Sequence, residues 1–502
     1  MKTLSNVKEP PKAAPAAAGK NKALMLLLPV LVAVLLLLVP VPAGLEPHAW
    51  HFFAIFVGVI VGLIFEPLPG AVIGLTGVVV IALFSQFLLF SPAELANPKF
   101  KVASESFKWA VSGFGNSTVW LIFGAFMFAA GYDKTQFGRR LALILVKYLG
   151  RRSLTLGYAI TFADLLLAPF TPSNTARSGG TIYPIIANLP PLYGSKPNDP
   201  SARKIGSYLM WVAITAACIT SSMFLSALAP NLLALALVKS VIGFDISWGM
   251  WFLAFLPLGL LLILTMPLLA YWFYPPEVKV NDEVPRWAIA ELEKLGKLTR
   301  NEILLLVFVV CALLMWIFAT AWIEPAMAAL LVIILMLWTG VLNWNDITSN
   351  KAAWNTFAWF ATLVALADGL ARVGFIAWLG KEGGMLLQGY DPQVSAVVLL
   401  IAFFLLHYLF ASTTAHTTAL LPAMLTIAAS IPGINMPVFC LMLCTSLGVM
   451  GIITPYGTGP SPIYYGSGYL PTKDYWRLGT IFGAIFLIAM MLIAYPWMVW
   501  MF

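Results

Sequence analysis

The chain has 502 residues, of which 61% are hydrophobic and only 10% are charged. Its mean hydropathy is +0.89. Soluble domains average about 25% charged residues, so this composition excludes a soluble globular protein. The formal net charge of +8 is mostly loop charge that sets membrane orientation, so we expect no nucleic-acid partner. The four cysteines have no metal-binding or redox spacing and no cofactor motif occurs, so we expect neither a metal site nor a cofactor.

The chain divides into four segments. Residues 1–22, rich in Lys, Ala and Pro, predict a disordered cytoplasmic tail. Residues 23–274 and 303–502 contain apolar runs of about 20 residues and predict two halves of an all-α polytopic membrane protein. Residues 275–302 are the most hydrophilic interior stretch and predict a cytoplasmic linker. Lys and Arg cluster in the tail, around the first polar cluster and in the linker, which predicts a cytoplasmic N-terminus.

The two halves share landmarks at a nearly constant offset. The offset is 238 residues (356 − 118, for example) for three pairs: Thr118 and Thr356, Gly131 and Gly369, and Phe137 and Phe375. Two polar pentapeptides, at 173–177 and 412–416, follow at 239. A near-constant offset over about 60 residues predicts an internal repeat. Basic residues are sparser around the second pentapeptide and the C-terminus is uncharged, which favours repeats of inverted topology.

Each pentapeptide predicts the tip of a re-entrant helical hairpin, and we call them the first tip (173–177) and the second tip (412–416). Pro169 and Pro172 prevent a continuous helix through the first tip. Both tips are rich in side chains favoured at helix N-termini. Irregular backbone inside a membrane must line a cavity or be buried in protein, and a helix N-terminus favours an anion. The alternative is that these hydroxyls hydrogen-bond back to their own helices. The predicted substrate ligands are Ser173, Asn174, Thr175, Ser412, Thr413 and Thr414.

Two further broken segments follow the tips. Each places small polar residues and proline inside an apolar run, so the helix must unwind there. The freed carbonyls are expected to coordinate a cation or to accept side-chain donors; the alternative is a simple proline kink. The residues added to the predicted substrate site from these segments are Ser222, Asn231, Thr454, Pro455 and Thr458.

Ionisable residues inside apolar segments are functional candidates because a charge in the membrane is costly. Arg177 and His416 occupy the same position in the two tips, and both are predicted to be fixed positive charges that compensate the charge of an anionic substrate. The alternatives are a snorkelling arginine and a structural histidine. Asp164 and Asp368 are expected to pair with Arg177 or a neighbouring helix, with proton coupling as the other possibility. His407 is expected to be structural.

The twin tips, the broken segments and the stretches 167–177, 188–192 and 458–471 resemble the divalent anion:sodium symporter family. They are most similar to its bacterial exchanger branch, which exchanges tartrate or citrate for succinate. The resemblance covers nearly the whole chain. It implies a homodimer in the inner membrane of a bacterium, with a scaffold domain, a moving transport domain and elevator-type alternating access. It also implies that the two tips bind substrate carboxylates.

At Thr413 the sequence departs from the family pattern, which has Asn there as part of a sodium site. We therefore expect Arg177 and His416 to replace coupling sodium, and the protein to exchange di- and tricarboxylates obligatorily. Candidate substrates are succinate, tartrate, citrate, malate, fumarate and 2-oxoglutarate. A sodium- or proton-coupled symporter of the same fold is the alternative. An enzyme or a channel is disfavoured because the sequence contains no catalytic constellation and no pore motif.

Overall fold

The computed structural model describes residues 20–65, 67–386 and 389–502. These residues form helices and a single isolated antiparallel bridge, between Arg152 and Val280. Nine helical spans in this part of the chain are long and apolar enough to cross a membrane, or ten if one bent pair counts as a span. The prediction of an all-α polytopic membrane protein is confirmed.

The α-helices before the linker carry the labels α1 to α13. They are α1 (Lys20–Leu38), α2 (Pro47–Phe65), α3 (Gly70–Leu83), α4 (Ser85–Leu88), α5 (Pro92–Leu95), α6 (Val102–Ser112), α7 (Ser117–Thr135), α8 (Phe137–Leu149), α9 (Ser153–Leu167), α10 (Tyr183–Ile186), α11 (Gly206–Met223), α12 (Ala229–Ile242) and α13 (Trp248–Phe273).

The remaining α-helices are α14 to α25. They are α14 (Glu283–Leu295), α15 (Arg300–Phe318), α16 (Pro325–Thr339), α17 (Trp344–Thr348), α18 (Lys351–Arg372), α19 (Phe375–Leu386), α20 (Pro392–Leu406), α21 (Thr413–Ala429), α22 (Met436–Val449), α23 (Ser461–Gly466), α24 (Thr472–Ala489) and α25 (Tyr495–Met501). Short 3₁₀ segments occur at Gly113–Gly115, Ala168–Phe170, Pro190–Tyr193, Pro200–Lys204, Leu225–Ala227, His407–Leu409 and Met450–Ile453, and π-helices at Thr175–Ile182 and Met490–Ala494.

One order of elements occurs in both halves. Helix α9 ends in the 3₁₀ turn Ala168–Phe170, passes the first tip and continues as the π-helix Thr175–Ile182. Helix α20 ends in the turn His407–Leu409, passes the second tip and continues as α21. The residues Thr171 and Phe410, which follow the two turns, have extended backbone and end each helix before its tip. An inverted relation between the halves stays a prediction.

The second pair of breaks lies at the centre of the protein. Helix α11 is buried along all 18 of its residues and leads through the turn Leu225–Ala227 to α12. Helix α22 packs against α11 and ends in the turn Met450–Ile453 and the loop 454–460. Fully buried helices must satisfy their broken ends within the protein, which brings these polar segments together in the core.

The predicted linker is ordered and docks on the first half. Helix α14 packs along α8, where Arg139 and Glu291 form an ion pair with an N–O distance of 2.7 Å. Arg140 forms a buried ion pair with Glu302 at 2.6 Å and also donates to the carbonyls of 295, 296 and 297. Helix α1 begins at Lys20, and residues 1–19 of the predicted tail lie outside the described residues.

Candidate functional site

The two tips meet at one cavity of about 330 Å³. Its wall combines both tips with the start of α12, one residue each from α7 and α18, and the loop 454–460. The lining residues are Phe126, Pro172, Ser173, Asn174, Thr175, Leu228, Ala229, Pro230, Thr356, Ala411, Ser412, Thr413, Thr414, Thr458 and Gly459. All six predicted tip ligands and Thr458 are therefore gathered at one place, although they are up to 285 residues apart (458 − 173).

Two α-helices begin at this cavity. Ser412, with extended backbone, caps α21 by accepting a hydrogen bond from the backbone N–H of Ala415 at 3.4 Å. Leu228, also extended, precedes α12, whose first residues Ala229 and Pro230 line the wall. Backbone N–H groups in a first helical turn have no partner within their own helix and carry partial positive charge. Both helix ends therefore favour an anion.

The first tip contributes a third helical N-terminus of a different kind. Ser173 accepts from the N–H of Ala176 at 3.2 Å, as a helix cap does. The turn then continues as a π-helix from Thr175, and Thr175 itself is exposed to the cavity. None of the described residues that line the cavity carries a charge. The site is thus positive through backbone dipoles and neutral in its side chains.

Hydrogen bonds from the two tips to the loop 454–460 hold the tips together. Asn174 Nδ2 donates to Thr458 Oγ1 at 2.7 Å, and Thr413 Oγ1 donates to the Gly457 carbonyl at 3.0 Å. The Gly457 carbonyl also lies 2.8 Å from His407 Nε2, which must be the donor because a carbonyl only accepts. Both tips are therefore fixed to the same short loop.

Arg177 is part of this assembly but does not line the cavity. Its side chain is fully buried, and its Nε lies 3.2 Å from both carboxylate oxygens of Asp164. Its remaining N–H groups donate to the carbonyls of Thr171 and Ala227 and to the hydroxyls of Thr220 and Ser221, at 3.0–3.2 Å. All five guanidinium N–H donors therefore have protein partners. The structure thus places the predicted charge-compensating Arg177 behind the cavity wall, in a buried ion pair with Asp164.

His416 lies behind the second tip in an aromatic enclosure. Its ring centroid is 4.4 Å from that of Phe403, 5.0 Å from His407 and 5.1 Å from Phe410. Neither ring nitrogen has a hydrogen-bond partner among the described residues. An imidazolium would need acceptors for two N–H groups, so these surroundings fit the neutral ring better than the predicted fixed cation.

Four other predicted ligands lie away from the cavity. Ser222 accepts from the N–H of Val449 at 2.9 Å and joins α11 to α22. Asn231 donates to the carbonyls of Ser221 and Phe224. The carbonyls freed at this break therefore accept side-chain donors, which was one of the two roles expected for them. Thr454 is fully buried and Pro455 half-buried within the loop.

Several lining residues were absent from the sequence-based prediction. They are Phe126, Pro172, Leu228, Ala229, Pro230, Thr356, Ala411 and Gly459. Thr356 carried a signal, because it is one of the repeat landmarks, and Pro230 lies in the predicted broken segment that contains Asn231. Phe126 lies inside an ordinary apolar helix and carried none. Asp368 accepts a hydrogen bond from Ser240 at 2.6 Å, which is the expected pairing with a neighbouring helix.

Helix α7 connects the central cavity with two others. Thr118, near its start, lines a cavity of about 510 Å³, and Tyr132, near its end, lines one of about 520 Å³ that adjoins Trp287 of the linker helix. Phe126 lines the central cavity between them. At about 1.5 Å rise per residue, the central cavity lies roughly 12 Å from the first and roughly 9 Å from the second along α7. The site is thus midway along a membrane-spanning helix, with a cavity on either side.

A neutral-lined anion cavity midway through a polytopic helical protein, enclosed by broken helices from both halves, defines a secondary transporter. Comparison with known proteins agrees. The family profile described as the sodium:sulfate symporter transmembrane region matches residues 20–502, and the chain belongs to this family, the divalent anion:sodium symporters. The protein is a transporter and not an enzyme.

Curated relatives are similar over nearly their whole length. The chain is 56% identical over 472 residues to proteins named L-tartrate/succinate antiporter from Escherichia coli (strain K12) and Shigella sonnei (strain Ss046). The alignments cover 94% of this chain and 97% of each relative.

Two solved structures share the fold. They are the YdaH transporter of Alcanivorax borkumensis (TM-score 0.55, 13% identity, 86% of this chain and 97% of that chain) and MtrF of Neisseria gonorrhoeae (TM-score 0.51, 12% identity, 85% and 93%).

Proposed function

We propose that the protein exchanges C4-dicarboxylates across the inner membrane of a bacterium, with L-tartrate and succinate as the principal pair. The observation that carries this proposal is the convergence of three helical N-termini on one uncharged cavity shared by both tips. The names of relatives that are 56% identical support the choice of substrates. Malate, fumarate, 2-oxoglutarate and citrate are further candidates of the same chemistry.

The charge balance of the cavity suits a dianion. Each helical N-terminus is equivalent to roughly half a positive charge, so three supply about +1.5 against −2 on a dicarboxylate. Ser173 and Thr175 on one side and Ser412 and Thr414 on the other provide hydroxyl donors. The two carboxylates of a four-carbon diacid would each take one tip.

The same arrangement favours obligatory exchange. An empty site that crosses the membrane barrier would carry N–H and hydroxyl groups without acceptors, each costing about 1–3 kcal/mol when desolvated. A bound dianion supplies those acceptors. Return with a second dicarboxylate is therefore faster than return empty. This route to exchange does not depend on the predicted replacement of coupling sodium by Arg177 and His416, because it works equally with Arg177 paired to Asp164.

The Gly457 carbonyl argues against coupling sodium at the second tip. It already accepts from Thr413 and His407, so both of its lone pairs have protein donors. Sodium-free exchange is thus part of the proposal, and a sodium- or proton-coupled symporter is the alternative outcome of its test.

Counterflow in proteoliposomes decides between these outcomes. Vesicles loaded with succinate should accumulate labelled L-tartrate in sodium-free choline buffer, whereas vesicles without internal dicarboxylate should take up little. Strong uptake into empty vesicles driven by a sodium or proton gradient would establish a symporter. Screening unlabelled acids as competitors in the same assay ranks the candidate substrates.

Two structural features of the proposal come from the family resemblance, and a third, the cytoplasmic tail and linker, comes from the distribution of Lys and Arg. The protein would work as a homodimer by elevator-type movement, in which the two hairpins and the broken helices after them move against a scaffold. Its tail and the linker 275–302 would be cytoplasmic. Accessibility of single cysteines in the linker to a membrane-impermeant reagent, added to intact or to permeabilised cells, tests the orientation.

A further inference from the structure

We propose that Asp164 is a positioning residue for the substrate site. Asp164 and Arg177 form a neutral ion pair, which we call the clamp, and Asp164 rather than the substrate balances the charge of Arg177. This inference rests on the proposed function, because it assigns a role within the same site.

The clamp joins four elements with buried polar contacts. Asp164 lies near the end of α9, and Arg177 lies in the π-helix that follows the first tip. Arg177 Nη1 donates to Thr171, just before the first tip, at 3.1 Å, and to Ala227, just before α12, at 3.0 Å. Two of the three N-termini at the cavity are therefore fixed relative to each other by one guanidinium group.

Asp164 determines the orientation of that group. Both of its oxygens lie 3.2 Å from Arg177 Nε, and one also accepts from the Thr220 hydroxyl, which in turn accepts from Arg177 Nη2. Asp164 and Arg177 are each at most 1% exposed. The carboxylate is the charged anchor at Nε, so its loss weakens the orientation that directs Nη1 towards the two carbonyls.

Arg177 has no remaining donor for a substrate. Its five N–H groups are all used, and the pair is neutral as a unit. A guanidinium that bound the substrate directly would expose at least one N–H group to the cavity. Removing one member of a buried pair leaves an isolated charge, whereas removing both does not. The difference between the single and the double substitution therefore distinguishes Arg177 as a member of the clamp from Arg177 as the counter-charge of the substrate.

The test uses Arg177→Gln, Asp164→Asn, their combination and Arg177→Lys, each measured for the KM of succinate counterflow and for thermal unfolding of the purified protein. Either single neutral variant should raise KM at least 30-fold or abolish exchange. The double variant D164N/R177Q should recover exchange at least tenfold over R177Q, because the remaining amides are neutral and still hydrogen-bond. R177K keeps the charge but has only three donors, and should raise KM at least tenfold.

A second buried pair supplies the matched control. Arg140 and Glu302 are 2.6 Å apart at the linker, and neither lines the cavity. R140Q should lower the unfolding temperature but leave the KM for succinate within twofold of the wild-type value. A purely structural Asp164–Arg177 pair would behave in the same way.

Two results would overturn the clamp. One is R177K with wild-type KM; the other is a folded D164N/R177Q protein as inactive as R177Q. Either would make the positive charge of Arg177 the essential feature. Failure of the proposed function looks different: the wild-type protein would then exchange no dicarboxylate at all, while the coupling between positions 164 and 177 would still be measurable in thermal unfolding.

Discussion

Gly459→Ala is the substitution for which the structure makes the sharpest prediction. Gly459 lies on the cavity wall, where the loop 454–460 approaches the first tip. A methyl group there would overlap the Thr175 hydroxyl oxygen and lie 3.1 Å from Thr175 Cβ and 3.6 Å from Asn174 Oδ1. Thr175, the loop or the tip must shift, and we expect this to strain the hydrogen bond from Asn174 to Thr458, now 2.7 Å, that joins the tip to the loop.

The expected weakening of substrate binding follows from the hydrogen bonds that a bound dicarboxylate makes. With the tip and the loop displaced, a dicarboxylate loses at least one charge-assisted hydrogen bond, which is worth about 1.5–3 kcal/mol. At about 1.4 kcal/mol per factor of ten, the KM for succinate should rise roughly 10- to 150-fold. The added methyl group also overpacks the wall, so the free energy of unfolding should fall by about 1–3 kcal/mol.

Succinate counterflow at graded external concentrations measures the change in KM. Gly466→Ala is the control, because a Cβ at this position, seven residues further on, meets no atom within 4 Å. It should leave KM and thermal stability unchanged. A Gly459→Ala protein with the KM of Gly466→Ala would refute the placement of the substrate between the first tip and the loop.

Three further predictions can be checked with the same preparations. Asn174→Ala removes the donor to Thr458 and should raise the succinate KM about tenfold in counterflow, since it loosens the same contact without overpacking; an unchanged KM would contradict this. Ser222→Ala leaves the buried N–H of Val449 without its acceptor and should destabilise the protein by about 1–3 kcal/mol in thermal unfolding. The KM should stay the same, because Ser222 lies outside the cavity. A raised KM would indicate that Ser222 belongs to the substrate site. Lys294 and Arg139 hold the pKa of Glu291 below its usual value of 4.5, so the ion pairs of the linker stabilise the protein above that pH and lose this effect as the pH falls through the lowered pKa. Glu291→Gln should therefore reduce the loss of stability between pH 5 and pH 3. An unchanged loss of stability in that range would count against the ion pairs.

The sequence predicted the tips because their signals are local. Pro169 and Pro172 end the helix before the first tip, and at both tips a Ser caps the next helix within three residues, so these helix starts follow from neighbouring residues alone. The offset between the halves then indicated that the two tips belong to one site, and the cavity does contain Ser173–Thr175 and Ser412–Thr414.

The roles of the buried polar residues could not be predicted in the same way. Ser222 and Asn231 satisfy backbone groups at a helix crossing, whereas Thr356 and Phe126 face the cavity from helices that carry no break. Which face of a buried helix meets a cavity depends on packing between segments hundreds of residues apart. The number of protein partners of Arg177 also depends on packing between separate segments, although its acceptors are nearer, 6 to 50 residues away along the chain.

The most direct measurement of the central claim is a structure of the protein determined with succinate bound. The ligand should lie in the cavity between the two tips, one carboxylate at Ser173 and Thr175 and the other at Ser412 and Thr414, with Arg177 still bound to Asp164. Succinate found instead in the cavity beside Tyr132 and Trp287, or a carboxylate in direct contact with Arg177, would contradict the account.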